Sequence, residues 1–338
     1  MSEQAFTDWV EAHTGIAGAR LAEPLAGGNS NVTRLVETDS GRRLVLRRPP
    51  ADTISPSAAR GVSREFRVLS AVHGSAPVPE PVALCEDATV IGAPFVLVEA
   101  IDGVSITDTL PDSYSDRDTA LAAIGAGLVD ALAAIHNVDW RAAGLDDFGR
   151  PENWVARQIE RWRGIRAETA ARELPLVEQL GAWFADTVPP QTAPAIVHGD
   201  YHLDNTLFAP DEPRLAAVID WELSTIGEPM ADVGLVLAFW GPRDPSPAGF
   251  EFVQAVSRST TRPDRRDLAD RWATTTGRSV EHLDWFCAFS LWRLASIVEG
   301  AWVLQAGGKI DSPYARSLEA DVPRLLEEAS TFAGHAGR

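Results

Sequence analysis

Two short apolar runs, each leading to an acidic residue, constrain this chain more than any other feature. The first run contains Ile196 and leads to Asp200, and Asn205 follows after four intervening residues. The second run contains Val218 and leads to Asp220. Short apolar runs bounded by turn residues predict buried strands. The spacing therefore predicts one strand–turn–strand unit that brings two carboxylates and one amide together.

Two carboxylates and an amide in this order suit phosphoryl transfer from a magnesium nucleotide. One carboxylate must orient the attacking hydroxyl and accept its proton. Mg²⁺ needs only one or two oxygen ligands from the protein, because phosphate and water complete its shell. The order H-x-D-x-x-x-x-N, followed by a strand-borne Asp, is that of the kinase catalytic loop and its metal-binding Asp. Taken alone, Asp204-Asn205 is more typical of an ordinary turn.

The segments 198–205 and 219–221 resemble the aminoglycoside phosphotransferase-like kinases, and the resemblance extends from about Leu25 to at least Leu237. Within that family, 45–50 and 220–227 are similar to bacterial relatives of the kinase-like domain that is fused to acyl-CoA dehydrogenases in some animal proteins. The resemblance implies an α+β, protein-kinase-like fold with two lobes. The N-terminal lobe is small and β-rich, and the C-terminal lobe is larger and mainly helical.

The order of patterns along the chain fits two unequal lobes. Strand-like runs, a Gly-containing turn and one short helix occupy residues 1–99, the predicted nucleotide-binding lobe. Residues 100–104 are the predicted hinge. Residues 105–338 form the predicted helical lobe, with the catalytic loop and the acceptor site. Its helix-like stretches are 120–136, 154–169, 174–184, 265–276, 280–305 and 315–332.

The resemblance implies a role for each residue that matches the family motif. Asp200 is the expected catalytic base. Asn205 and Asp220 are the expected Mg²⁺ ligands. His198 is expected to support the loop structurally, and Asp232 to brace it through backbone hydrogen bonds.

Further positions are predicted to bind the nucleotide. Gly28, Asn29 and Ser30 precede the first hairpin strand, where small residues let backbone N–H groups approach phosphate. Glu99 and Ile101 lie where kinases pair backbone groups with the adenine edge. Glycine-containing loops of this kind also mark ordinary turns, so the first set depends on its position ahead of the strand.

The charged partner of the phosphates is predicted to be Arg47. It stands where kinases carry a Lys, and Glu65 on the following helix is its predicted partner. Strand alternation places Arg47 on the same face as Val45, but Arg48 in this role, or two surface arginines, stays open. Glu222 is predicted either to reach the metal or to form a salt bridge.

Composition excludes several classes of partner. Lys and Arg number 30 and Asp and Glu 48, and this net charge of −18 argues against nucleic acid and anionic membranes. Cys85 and Cys287 lie in separate apolar runs and predict buried thiols in a reducing compartment. The first residues lack a signal-peptide pattern, and the most apolar run, 121–135, is interrupted by Asp130, so we expect a cytoplasmic protein without membrane spans.

The predicted function is ATP- and Mg²⁺-dependent transfer of the γ-phosphate to a hydroxyl group of a small molecule. The acceptor, whether aminoglycoside-like, hydroxyacyl or another alcohol, stays open, as do GTP use and oligomeric state. Tyr201, the segment after Asp220 and helices beyond Phe239 are expected to build its pocket. The alternative is a catalytically weak nucleotide-binding pseudokinase or scaffold, because Arg47 replaces the usual Lys. A protein kinase is disfavoured, since no A-P-E segment follows Asp220.

Overall fold

The structure, a computed structural model, describes residues 3–25, 31–50, 56–169, 171–241, 255–258 and 263–336. The predicted phosphate-binding residues Gly28, Asn29 and Ser30 lie outside these ranges. The first five strands are β1 Arg20–Pro24, β2 Val32–Glu37, β3 Arg43–Arg48, β4 Pro81–Cys85 and β5 Phe95–Glu99. They form one antiparallel sheet in the order β1-β2-β3-β5-β4.

One face of this sheet forms its own core and the other faces a cavity. Helix α1, Glu3–Thr14, packs Phe6 and Val10 against buried side chains of the sheet. On β3, Leu44 and Leu46 point into this core, whereas Val45 and Arg47 line the cavity on the opposite face. The alternation of a strand thus decides which side chains reach the cavity.

The remaining elements are mainly helical. The helices are α2 Pro56–Val72, α3 Arg117–His136, α4 Trp154–Thr169, α5 Pro175–Asp186, α6 Met230–Ala238, α7 Ala255–Arg258, α8 Arg265–Thr276, α9 Leu283–Ala306 and α10 Pro313–Ala336. The strands are β6 Ala195–Val197, β7 Thr206–Phe208, β8 Leu215–Val218 and β9 Thr225–Gly227. Helix α9 packs against both α6 and α10, and side chains of α2 and β5 join the same large core.

The polar segment 195–227 forms two small sheets instead of one hairpin. Strand β6 pairs with β9, and β7 pairs with β8. The loop that carries Asp200 and Asn205 joins β6 to β7, and Asp220 lies two residues beyond the end of β8. Two antiparallel pairs side by side therefore place all three side chains in neighbouring loops.

The α+β prediction is confirmed, with particular differences in the elements. Helices α4 and α8 begin and end where the pattern predicted them. Helix α6 was missed because every residue from Met230 to Ala238 is buried, so its sequence carries no amphipathic period. The short α1 and the edge strand β1 were missed as well.

Two helices are long and apolar enough to cross a bilayer by length and composition. They are α3 and α9, with mean hydropathies of 1.6 and 1.3 over their most apolar windows. The sequence analysis counted Asp130 as an interruption of the run 121–135, but a single charge does not take α3 below this length and hydropathy. Both windows are more than half buried within the protein, 61% and 56%, as core helices are.

Candidate active site

A cavity of about 620 Å³ lies between the five-stranded sheet and the segment 195–227. Six of the predicted site residues line it. They are Arg47, Glu65, Glu99, Ile101, Asn205 and Asp220. Residues from four separate parts of the sequence thus converge on one opening that is large enough for a nucleotide.

Asn205 is tied directly to Asp200. Its Nδ2 donates to the backbone oxygen of Asp200 at 2.9 Å and to Oδ2 of that carboxylate at 3.0 Å. These bonds occupy the amide nitrogen and leave the amide oxygen of Asn205 to serve as a ligand atom. The backbone N–H of Ile219 donates to the backbone oxygen of Asn205 at 2.9 Å, which joins this loop to the one that carries Asp220.

Asp220 has a left-handed backbone, with φ 67° and ψ 63°. Few residues other than glycine adopt this conformation, although the short side chain of Asp tolerates it better than most. The indole of Trp221 is buried, and its Nε1 donates to the oxygen of Val218 at 3.1 Å. This hydrogen bond fixes the turn, and the side chain of Asp220 lines the cavity.

Arg47 connects two carboxylates across the cavity. Its Nη1 donates to Glu65 on α2, and its Nη2 donates to Oδ1 of Asp220 at 2.6 Å. Burial raises the pKa of Glu65 to about 7, against the opposing charge of Arg47. Arg48 instead donates to the oxygen of Pro49 at 3.0 Å and is not among the residues that line the cavity. Of the two arginines, Arg47 is therefore the one that faces the cavity.

His202 controls the charge of Asp200. Its Nε2 lies 3.4 Å from Oδ2 of Asp200. Burial would raise the pKa of Asp200, but the hydrogen bond and charge of His202 outweigh it and lower that pKa to about 2. Burial likewise disfavours a charged His202, yet Asp200 and Asp204 raise its pKa. Asp200 is therefore ionised near neutral pH, and an ionised carboxylate can accept a proton.

The loop before Asp200 is braced from the core. Asp232 on α6 is 1% exposed, and its oxygens accept the backbone N–H groups of His198 at 2.7 Å and Gly199 at 2.9 Å. The His198 ring accepts the N–H of Asp200 on Nδ1 at 3.3 Å and donates from Nε2 to the oxygen of Ile219 at 2.9 Å. Burial lowers the pKa of His198, which favours the neutral ring that this arrangement needs.

The predicted hinge runs along the cavity edge. The N–H of Glu99 donates to the oxygen of Glu80 at 2.9 Å, and the N–H of Ala100 donates to the oxygen of Arg43 at 3.1 Å. A Cβ on Gly103 would lie 2.9 Å from Cβ of Leu207, so this close crossing requires glycine. Strand pairing thus occupies the first two amides, and the chain then passes Ile101 along the cavity.

The structure also shows contacts of Glu222, Tyr201 and His202, of which that of Tyr201 corrects a prediction. Glu222 accepts a hydrogen bond from Nδ2 of Asn31 at 3.1 Å. The hydroxyl of Tyr201 is buried and donates to the oxygen of Leu128 at 2.7 Å, so Tyr201 is corrected from a pocket residue to a core residue. His202 is half-buried, and its Nε2 contacts Oδ2 of Asp200 within the same loop.

The donor set fits magnesium only together with phosphate. Across the described ranges, no cluster of three or more His, Cys, Asp or Glu side chains could hold a metal ion. Asn205 and Asp220 supply one amide and one carboxylate beside the cavity, which is the sparse set that Mg²⁺ uses when a nucleotide completes its shell. These residues therefore fit a nucleotide-borne Mg²⁺ and not an independent metal centre.

A small antiparallel sheet and a mainly helical part, with a cavity between the sheet and the segment 195–227, define a kinase-like fold. Residues 22–270 match the family model of the phosphotransferase enzyme family, APH, and the chain belongs to that family. The predicted family and its kinase-like fold are both confirmed.

Two relatives and one more distant structure illustrate the kinship. Acyl-CoA dehydrogenase family member 10 of Mus musculus is 33% identical over 315 residues, which cover 92% of this chain and 29% of that protein. A Ralstonia eutropha protein provisionally assigned as an aminoglycoside phosphotransferase is 31% identical with a TM-score of 0.83, over 99% of this chain and 98% of that one. The GDP complex of aminoglycoside 2'-phosphotransferase-IIIa shares the fold, at a TM-score of 0.63 and 16% identity over 99% of this chain and 100% of that one.

Proposed function

We propose that this protein transfers the γ-phosphate of magnesium-bound ATP to an alcohol group of a small molecule. The observation that carries the proposal is the convergence of Arg47, Asn205 and Asp220 on one cavity, with Asp200 hydrogen-bonded to Asn205. Membership of the phosphotransferase family supports the same reaction class. The chain spans between 29% and 40% of the length of the first curated relatives it matches, so their dehydrogenase activity is not part of the proposal.

The nucleotide would lie along the sheet side of the cavity. The Glu99 carbonyl and the Ile101 amide are the backbone groups proposed to pair with the base, since the amides of Glu99 and Ala100 are occupied by strand pairing. Arg47 would donate to phosphate oxygens in place of the usual Lys, because its planar guanidinium can donate two hydrogen bonds to one phosphate group. Glu65 keeps the guanidinium in position by accepting a hydrogen bond from its Nη1.

Asp200 would act on the acceptor. Its carboxylate accepts a hydrogen bond from the attacking hydroxyl and takes its proton as the new O–P bond forms. The bond between the γ-phosphorus and the bridging oxygen breaks, and ADP leaves with the electron pair. Asn205 and Asp220 would hold Mg²⁺, which when bound neutralises charge on the phosphate oxygens. Asp232 and His198 keep the loop in place through backbone hydrogen bonds during the reaction.

A nucleotide-binding protein without turnover is the second candidate. The observation that favours it is the ion pair between Arg47 and Asp220, which occupies a proposed metal ligand. A nucleotide must redirect this guanidinium before Asp220 can serve Mg²⁺. The ion pair weakens catalysis only if the free energy needed to break it exceeds the free energy gained when the nucleotide and Mg²⁺ bind.

The test combines nucleotide binding with product detection. Purified protein is incubated with Mg²⁺ and either ATP or GTP, together with a panel of aminoglycosides, hydroxyacyl compounds and simple alcohols. Phosphomonoester products are followed by ³¹P NMR and released diphosphate by a coupled assay. We expect one acceptor class to react, and D200N to bind nucleotide as the wild type does but to lose about 10²–10⁴-fold in rate.

Each result separates the candidates. Binding without turnover above that of D200N, across the whole panel, would favour the non-catalytic protein. A wild type that binds no magnesium nucleotide would refute both.

A further inference from the structure

Arg293 on α9 contacts the loop that leads to Asp200. Its Nη2 donates to the backbone oxygen of Gly199 at 2.5 Å, although 94 residues separate the two. Burial and the nearby Arg161 lower the pKa of Arg293, whereas the carboxylates of Asp200 and Asp232 raise it. Burial outweighs the two carboxylates, so the pKa of Arg293 is lowered overall, but an arginine side chain stays protonated in proteins.

The peptide group between Gly199 and Asp200 is held at both ends. Its carbonyl accepts from Arg293, and its N–H, which belongs to Asp200, donates to Nδ1 of His198 at 3.3 Å. A peptide group is planar, so fixing both ends fixes the plane. That plane fixes the N–Cα bond of Asp200. The carbonyl of Asp200 accepts from Nδ2 of Asn205 at 2.9 Å, so the next peptide group is held as well. The two peptide groups together set the direction of the Cα–Cβ bond of Asp200.

Gly199 leaves little room for an alternative arrangement. Its φ is 87°, a region that glycine adopts and L side chains rarely do. A Cβ there would lie 2.5 Å from the oxygen of Leu223, so the backbone is closely packed on that side. The N–H of Gly199 donates to Asp232 at 2.9 Å. The other polar backbone group of Gly199 is its carbonyl, and Arg293 donates to it.

The contact between Arg293 and Gly199 leaves one donor of the guanidinium unsatisfied, which costs folding free energy. Within the part of the chain that the structure describes, Nε of Arg293 is buried without a hydrogen-bond partner. A buried donor left unsatisfied destabilises the folded protein. An apolar side chain on α9 would avoid this cost but would leave the Gly199 carbonyl unheld.

We propose that Arg293 is a positioning residue for the reaction: by holding the Gly199 carbonyl, it orients Asp200 toward the acceptor hydroxyl. The inference rests on the proposed function for its catalytic consequence, but its structural part stands on the loop geometry alone. Arg293 acts through the backbone and needs no contact with either substrate. A displacement of about 1 Å at a catalytic group can reduce the rate by roughly 100-fold.

The test compares R293M and R293K with a matched control, R265M. Arg265 also donates to a backbone oxygen, that of Leu237 at 2.8 Å, but at the end of α6 away from the loop. Hydrogen–deuterium exchange of peptides covering 198–205 measures the hold on the loop, and magnesium-ATP hydrolysis without an acceptor measures turnover. We expect R293M to exchange at least tenfold faster at Asp200 and to lose about 100-fold in kcat with little change in KM for ATP.

The conservative variant and the control decide the interpretation. R293K can still donate one hydrogen bond to Gly199, so it should recover part of both losses, while R265M should behave as the wild type in both readouts. Exchange and kcat in R293M that match R265M would overturn the proposal. If the wild type binds no magnesium nucleotide, the proposed function fails, and the exchange data alone still decide whether Arg293 holds the loop.

Discussion

Nη2 of Arg47 lies 2.6 Å from Oδ1 of Asp220, although 173 residues separate them in sequence. The other end of the same guanidinium binds Glu65. A lysine ammonium is a single point of charge and cannot span the two carboxylates in this way. The arginine therefore links the sheet, helix α2 and the proposed metal ligand in one contact.

The first prediction concerns this bridge. R47A should lose about 10–100-fold in affinity for ATP with Mg²⁺, roughly 1.4–2.8 kcal/mol, because a phosphate contact and the anchor of Glu65 disappear together. R47K should lose less, since it keeps the charge. Isothermal titration calorimetry checks both variants. R48A is the control and should bind as the wild type does, and equal affinities for R47A and R47K would contradict a phosphate contact.

The second prediction concerns Asp220. D220N keeps the size of the side chain but removes the charge, so magnesium should no longer strengthen nucleotide binding. We expect at least a tenfold weaker Kd with Mg²⁺ present, about 1.4 kcal/mol, and little change with EDTA present. D147N is a matched control, because Asp147 pairs with Arg67 on α2 but is well exposed. A D220N protein that keeps the full magnesium effect would remove Asp220 from the metal site.

The third prediction concerns the pH dependence of stability through His136. The ring accepts from Nε1 of Trp272 at 3.1 Å, and its Nε2 lies 3.4 Å from Oδ2 of Asp232, so Nε2 carries the proton. Burial lowers the pKa of His136, with Asp232 opposing. The unfolded chain therefore binds a proton near pH 6.5 that the folded protein does not, and stability is lost as the pH falls below 6.5.

Urea denaturation between pH 7.5 and 5 measures this effect. One such proton contributes a slope of at most about 1.4 kcal/mol per pH unit. H136Q cannot titrate at this position, so the wild type should lose more stability than H136Q as the pH falls from 7.5 to 5. His198, whose pKa burial also lowers, adds to the loss, whereas Glu65, whose pKa is raised to about 7, opposes it. Both groups remain in H136Q, so the difference between the two proteins reports on His136. An H136Q protein with the wild-type slope would contradict the neutral, buried state of His136.

The fourth prediction concerns Gly103 at the predicted hinge. An added Cβ would meet Leu207 at 2.9 Å and the oxygen of Phe208 at 3.2 Å, so G103A must displace the crossing between the hinge and β7. We expect lower thermal stability and weaker nucleotide binding. G164A is the control, because Gly164 lies within α4 and a Cβ there would meet nothing within 4 Å. It should gain about 0.5–1 kcal/mol from helix propensity, and equal effects of both variants would contradict the close crossing.

Local sequence was sufficient to predict that Asp200, Asn205 and Asp220 lie near one another, although not that their strands pair as β6 with β9 and β7 with β8. Asp200 and Asn205 lie in one short loop and Asp220 follows the next strand pair, so spacing along the chain already brings them together. Alternation along β3 likewise placed Arg47 beside Val45 and away from Arg48, because a strand has only two faces.

Contacts between distant segments decided the rest. Arg293 comes from a helix 94 residues after Gly199, and the His136–Asp232 contact joins α3 to α6 across 96 residues. Nothing in the local pattern marks these residues, because a buried arginine and a buried histidine look in sequence like surface ones. The sequence by itself determined which side chains could do the chemistry; only the packing of α3, α6 and α9 around the loop decided how the Asp200 backbone is held, since those hydrogen bonds exist only once the helices meet.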